Sequence, residues 1–319
     1  MGSVPYSMGG PRSGSRSDES GLPPLPHGAL AGRCDNGAVT DTFASRFAKV
    51  RSDLGPLVWG LDPSGAVLQA WELGDDPGGL DRFADIVLEA AVGTVGLVKP
   101  QSAFFERHGW RGFRTLSRLI ADARSSGLLV ILDVKRGDVG STNDAYAQAY
   151  LGAGAPLEAD AITVHPYLGL AAMDAFVTGA DEAGSCLLVV TRSSNPEGRA
   201  VQSAREHSGR QVDEGLLQEI GKLNQTLAPG QIGPVGAVVS PVRIEPGLDL
   251  AGAQALFLAP GIGAQGITSQ DVAEVFAACP DRVMPSASRS LLAAGPDISA
   301  LRDSAAAMAA EFRRLLPVN

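Results

Sequence analysis

The feature that most limits what this chain can become is a rhythm. From about residue 41, short apolar runs recur eight times, at residues 57–61, 94–98, 128–132, 161–164, 187–190, 235–239, 255–258 and 282–284. Most are continuous in Val, Leu, Ile and Ala, the pattern of parallel strands covered on both faces. Helical spacing of apolar residues falls between them, for example over 80–91, 113–123, 144–151, 215–227 and 272–278, with a last helix over 298–316. Phe43, Phe47, Val50 and Leu54 form a stripe ahead of the first run. That spacing predicts an N-terminal helix capping the bottom of the fold. Strand and helix alternating eight times predict a single (β/α)8 TIM barrel over residues 41–319.

Residues 1–40 are rich in Ser, Gly, Pro and Arg and poor in aliphatics. They read as a disordered extension or an expression-derived tail, with no secretory or transit signal. The remainder holds enough apolar residues (45% of the 319 in the chain) to bury one large core. A net charge of −9 argues against nucleic acid or an anionic membrane surface as partner. No apolar run approaches the length of a membrane span. Cys34, Cys186 and Cys279 are too scattered for a redox pair or a disulfide framework, which suits reduced thiols in a cytoplasmic protein.

An open doubly wound sheet uses the same alternation, so the choice rests on where polar residues fall. Asp62-Pro63 follows the first run and Lys99-Pro100-Gln101 the second. Asp133-Val134-Lys135-Arg136-Gly137-Asp138-Val139-Gly140-Ser141-Thr142 follows the third. His165 ends the fourth, Ser193-Ser194-Asn195 the fifth, Pro260-Gly261-Ile262-Gly263-Ala264-Gln265-Gly266 the seventh, and Arg289 comes after the eighth. A barrel gathers all of these at one mouth, as an open sheet does not. Asp133 and Lys135, two apart, share a face if the strand continues, and Asp138 can return to the same lysine through the glycine turn. A lysine closing an apolar strand needs a counter-charge, which Asp133 can give Lys99. Gly261 and Gly263 let backbone N–H groups approach an anion, and Arg289 can grip it in the usual phosphate position of such barrels. His27, His108, His165 and His207 form no ligand cluster, so no metal site is expected, and His165 is given a supporting or packing role. Cofactor-free chemistry on lysines and carboxylates remains.

Together these segments resemble the orotidine 5′-phosphate decarboxylase family, in its longer bacterial branch, over roughly residues 42–316. The matching stretches are Gly60-Leu61-Asp62-Pro63, Val98-Lys99-Pro100-Gln101, Asp133 to Thr142, Pro166-Tyr167-Leu168-Gly169, Ser194-Asn195-Pro196-Glu197-Gly198 and the glycine loop from Pro260. The resemblance implies decarboxylation of orotidine 5′-phosphate to UMP, with Lys135 donating a proton to C6. Asp133 and Asp138 would flank that lysine and Lys99 would complete the charged chain. Asp62 and Lys99 would contact the ribose. Ser194, with Asn195 beside it, would read the pyrimidine edge, the choice between Ser193 and Ser194 staying open. Pro260, Gly261, Gly263, Gln265 and Arg289 would hold the phosphate. The 195–210 segment would be a lid. A homodimer with shared sites is implied, Asp138 and Thr142 serving the neighbouring subunit.

Three alternatives stay in view. A magnesium-dependent sugar-phosphate decarboxylase shares the AspxLysxxAsp loop but needs acidic ligands after the first two strands, where this chain has Lys99. A non-catalytic nucleotide-binding paralogue should have lost a charged residue, and none is missing. A modified pyrimidine nucleotide as substrate would leave every motif unchanged.

Overall fold

The computed structural model describes residues 41–242, 247–264 and 266–317. Residues 1–40, expected to be a separate extension, lie outside the described residues, as does Gln265.

Eight parallel strands close into a barrel in chain order. They are β1 (Val58–Leu61), β2 (Leu97–Pro100), β3 (Leu129–Arg136), β4 (Ala161–Val164), β5 (Cys186–Arg192), β6 (Val235–Val239), β7 (Phe257–Pro260) and β8 (Val283–Ala287). Closure is made where Val58 and Trp59 pair with Ser286 and Ala287. β2, β3, β5, β7 and β8 run further toward their C-terminal ends than the apolar runs do, so Lys99 and Asp133 are strand residues. Helices Pro77–Ala91, Gly109–Ser125, Ser141–Tyr150, Asp174–Ala183, Val212–Leu227, Ser269–Val275 and Ile298–Leu315 follow in the connections.

Strand side chains alternate, and the two phases form two cores. Val58, Leu97, Ile131, Ala161, Leu188, Leu258 and Met284 fill the interior. Trp59, Val98, Val130, Ile162 and Leu187 belong to the layer between barrel and helices. Helix α1 (Phe43–Leu54) is started by Thr42, whose hydroxyl accepts the Ser45 N–H at 3.2 Å. It drives Phe43 and Phe47, each 1% exposed, into the interior cluster from the N-terminal end. The expected cap is therefore present. Burying each ring contributes about 2–3 kcal/mol.

The alternation breaks once. Among the described residues no helix joins β6 to β7, a stretch where Pro241 and Gly247 disfavour one. A fully buried Asn224, on the Val212–Leu227 helix, does the joining instead. Its Nδ2 donates to the carbonyls of Val235, Ala253 and Gln254 at 2.8, 3.2 and 3.1 Å, and its Oδ1 accepts the Val235 N–H at 3.1 Å.

Candidate active site

The inward phase that packs the interior continues past the apolar layers, and at the C-terminal mouth its next members are polar. Lys99 lies two residues beyond Leu97, Asp133 beyond Ile131, Thr163 beyond Ala161, and Ser286 beyond Met284. Asp62 follows β1 in the same phase. These residues rim a cavity of about 390 Å³, together with Lys135, Ser194, Asn195, Pro260, Gly261 and Arg289. Its floor is apolar, formed by Val190, Val238, Leu258 and Ile262. A groove of about 540 Å³ beside Leu217 and Lys222 lies on the outer wall and gathers no such charged array.

Lys99, Asp133 and Lys135 form that array. Lys99 Nζ is 2.8 Å from Asp133 Oδ2, and Lys135 Nζ is 2.5 Å from Asp133 Oδ1. Lys99 and Asp133 are each only 6% exposed, whereas the Lys135 side chain stays 40% open. Burial by itself disfavours charge. For Lys99 it pulls the pKa down, but the carboxylates of Asp133 and Asp62 outweigh it and hold the ammonium above its ordinary range. For Asp133 burial pushes upward, and Lys99 and Lys135 overcome it, holding the carboxyl well below the usual carboxylate range. Both charges are locked on at neutral pH.

Asp138 does not join them. Buried Asn143 accepts the Asp138 N–H at 3.0 Å and donates to the carbonyls of Asp138 and Ala172 at 2.5 and 2.7 Å. The Asp138 carboxylate accepts the Val139 N–H at 2.8 Å. This ties the loop to the connection after β4, and among the described residues no ion pair joins Asp138 to Lys135 of the same chain. Asp138 and exposed Thr142 are absent from the cavity wall. The expectation that Asp138 returns to its own lysine is corrected by Asn143, a side chain that spacing gives no reason to single out.

At the opposite side, Gly261 lines the cavity with φ 99°. Gly263 does not: its N–H donates to the Ile267 carbonyl at 2.9 Å, closing the turn. A Cβ there would sit 3.0 Å from Ser290 Cβ and the φ is 74°, so close approach and a left-handed backbone both call for glycine. Arg289 is exposed at the cavity and has no carboxylate partner among the described residues.

The segment after β5 separates its two serines. Ser193 is held by Gln202, whose Oε1 accepts the Ser193 N–H at 3.0 Å and whose Nε2 donates to Ser193 Oγ at 2.8 Å. Ser193 Oγ donates to Asn195 Oδ1 at 2.7 Å. Ser194 faces the cavity with no hydrogen bond to a described side chain. Arg192 is buried against Asp213 at 2.7 Å, anchoring both ends of the 195–210 segment. His165 is solvent-exposed, its backbone N–H donates to the Arg136 carbonyl at 2.8 Å, and partial burial and the nearby Lys135 charge lower the pKa of its imidazole, with Asp133 opposing.

Sequence reasoning assigned no role to Thr163, Gln101 or Ser286, although Gln101 stands among the polar residues after the second run. The inward phase of β4 and β8 was the signal for two of them. Gln202 and Asp213 gave none. Among the described residues no three His, Cys, Asp or Glu side chains converge as metal ligands. No helix among the described residues is long and apolar enough to cross a membrane.

Fold and site define a (β/α)8 barrel with a lysine–carboxylate–lysine array at its C-terminal mouth and a cationic end across the cavity. Residues 55–303 match the orotidine 5′-phosphate decarboxylase / HUMPS family, and the chain belongs to it. The orotidine 5′-phosphate decarboxylase of Salinispora arenicola is 46% identical over 276 residues, covering 86% of this chain and 99% of that protein. The enzyme of the same name from Streptomyces coelicolor is 43% identical over 273 residues, covering 86% and 98%. A solved structure assigned as this enzyme, from Streptomyces avermitilis, superposes with a TM-score of 0.82 at 42% identity, covering 86% and 96% of the two chains.

Proposed function

We propose that the chain decarboxylates orotidine 5′-phosphate to UMP, the last step of de novo UMP synthesis, by cofactor-free protonation at C6. The observation that carries this reading is Asp133, buried and ionised between two lysines, one of which stays open to the cavity. When the bond from C6 to the carboxylate breaks, its electron pair remains in an sp² orbital that the ring stabilises poorly. The Lys135 ammonium, already fixed, lowers the energy of that charge without reorganising. It transfers a proton to C6 as carbon dioxide leaves, and the neutral amine recovers a proton from water. Asp133 beside the substrate carboxylate raises the ground state relative to the transition state.

Arg289, Gly261 and Pro260 suit the phosphate, Asp62 and Lys99 the ribose, and Ser194 with Asn195 the pyrimidine edge. Phosphate binding, remote from the broken bond, supplies energy for closing the 195–210 segment. A homodimer is part of this reading, Asp138 and Thr142 completing the neighbour's site. Exposed Val139, Tyr167 and Leu168 support it, Tyr167 being 83% exposed. They lie in the connections after β3 and β4, which the Asn143–Ala172 hydrogen bond ties together. Buried thiols at Cys186 and Cys279 suit a cytoplasmic location.

A magnesium-dependent reading is opposed by Lys99, an ammonium where a metal ligand would be needed. The test is ultraviolet loss of orotidine 5′-phosphate with purified protein, with and without EDTA. Equal turnover in both is expected. Activity lost to EDTA and restored only by Mg²⁺ would favour the sugar-phosphate rival.

A further inference from the structure

Lys135 sits in a backbone conformation that its side chain disfavours. Its φ of 43° is left-handed, a region non-glycine residues rarely enter unless their surroundings hold them there. Just there, the pairing of β3 with β4 slips between Leu132 and Arg136. At the lysine itself the restraint is one hydroxyl, while, one residue on, the Arg136 carbonyl accepts the His165 N–H at 2.8 Å. Thr163 Oγ1, on β4, accepts the Lys135 N–H at 3.0 Å and donates to Asp133 Oδ1 at 2.8 Å. That carboxylate oxygen also receives Lys135 Nζ. A hydroxyl has one proton to give and lone pairs to accept with, and here each capacity serves one member of the reactive pair. Thr163 is 1% exposed, so no bulk water competes for either bond. On the far side, the Arg136 guanidinium is held by Glu106 at 2.7 Å and by the Tyr150 hydroxyl at 3.2 Å. Arg136 can fix the backbone beyond the lysine, but among the described residues it is Thr163 that hydrogen-bonds both the Asp133 carboxylate and the turned backbone.

We propose that Thr163 is a positioning residue of the decarboxylation. Its hydroxyl fixes the Asp133 rotamer and the left-handed turn at Lys135 together, so the ammonium stands in place before substrate binds. The proposal rests on Lys135 being the proton donor.

Two substitutions separate this role from packing. Thr163→Val keeps the shape and removes both hydrogen bonds, whereas Thr163→Ser keeps the hydroxyl and removes a methyl. Freed of its N–H anchor, Lys135 can relax toward an extended backbone, and misplacement by about 1 Å costs up to roughly a hundredfold in rate. Thr163→Val should therefore lower kcat by about 30- to 100-fold. KM and UMP affinity, read by calorimetry, should change less than about threefold, because the phosphate grip is on β7 and β8. Thr163→Ser should keep kcat within about threefold of the parent even if it melts earlier. Three results would overturn the proposal: a Val variant with near-parental kcat, a Ser variant as slow as the Val variant, or equal losses in kcat and UMP binding. If the Val variant does not fold, Thr163→Cys replaces it under the same criteria, since a thiol is a poor hydrogen-bond partner. Lys135→Ala is measured alongside. Full activity there would sink the assignment of Lys135 itself, whereas an inactive Lys135→Ala beside an active Thr163→Val sinks only the role of Thr163.

Discussion

Lys99 decides the electrostatics of the mouth, because it is the buried counter-charge of a buried carboxylate. Replacing it with methionine keeps length and apolar volume but leaves Asp133 with Lys135 as its one ammonium partner, beside the Thr163 hydroxyl. Removing one partner of a buried pair costs about 3–5 kcal/mol, and the surviving Lys135 contact places this variant near the lower figure. Urea unfolding of Lys99→Met should show that loss, together with loss of turnover, and an unchanged midpoint would contradict it. The pair also fixes a pH response. Asp133 titrates lower in the folded chain than the ordinary value near 3.9, so its contribution is complete above that value and is lost as pH falls toward the folded one. Lys99 titrates higher than the ordinary value near 10.4, so its contribution is complete below that value and is lost as pH rises through the folded one. Between roughly pH 5 and 10 neither group should produce a step in stability. A titration of the free protein showing such a step, absent from the Lys99→Met variant, would refute the locked pair. Lys99, Asp133 and Lys135 are legible in the sequence because charge closing an apolar run is costly unless paired. The loop course of Asp138 is not, because buried Asn143 sets it through bonds that no spacing rule reveals.

At the scale of elements, the strands that make the floor were readable and their ends were not. Apolarity stops at Val98, whereas β2 runs to Pro100, because the barrel needs its inward phase carried through Lys99. Among the described residues the connection from β6 to β7 departs from the repeat, and Asn224 bonds the backbone on both sides of it. Helix α1 was legible from its stripe, and it acts at the end opposite the site. Phe47→Ala should accordingly lower stability by about 3 kcal/mol or more through the cavity it leaves, with KM and kcat within about twofold of the parent at temperatures where the variant is folded. A tenfold change in KM without loss of stability would mean that the cap communicates with the mouth.

For the molecule as a whole, the separation of Asp138 and Thr142 from the cavity makes a dimer with shared sites testable by mixing. Lys135→Ala and Asp138→Ala should each be inactive. Exchanged in equal amounts, half the dimers are mixed, and one of the two sites in each mixed dimer carries neither lesion, so about a quarter of parental activity should return. Verified exchange without recovery would place both residues in one chain's site. The central claim, proton delivery to C6 by Lys135 without a cofactor, is tested most directly in D₂O. Purified chain, orotidine 5′-phosphate and EDTA should yield UMP deuterated at C6, with one carbon dioxide released per UMP and no product from Lys135→Ala. UMP formed equally well by Lys135→Ala, or no UMP from the unmodified chain, would contradict it.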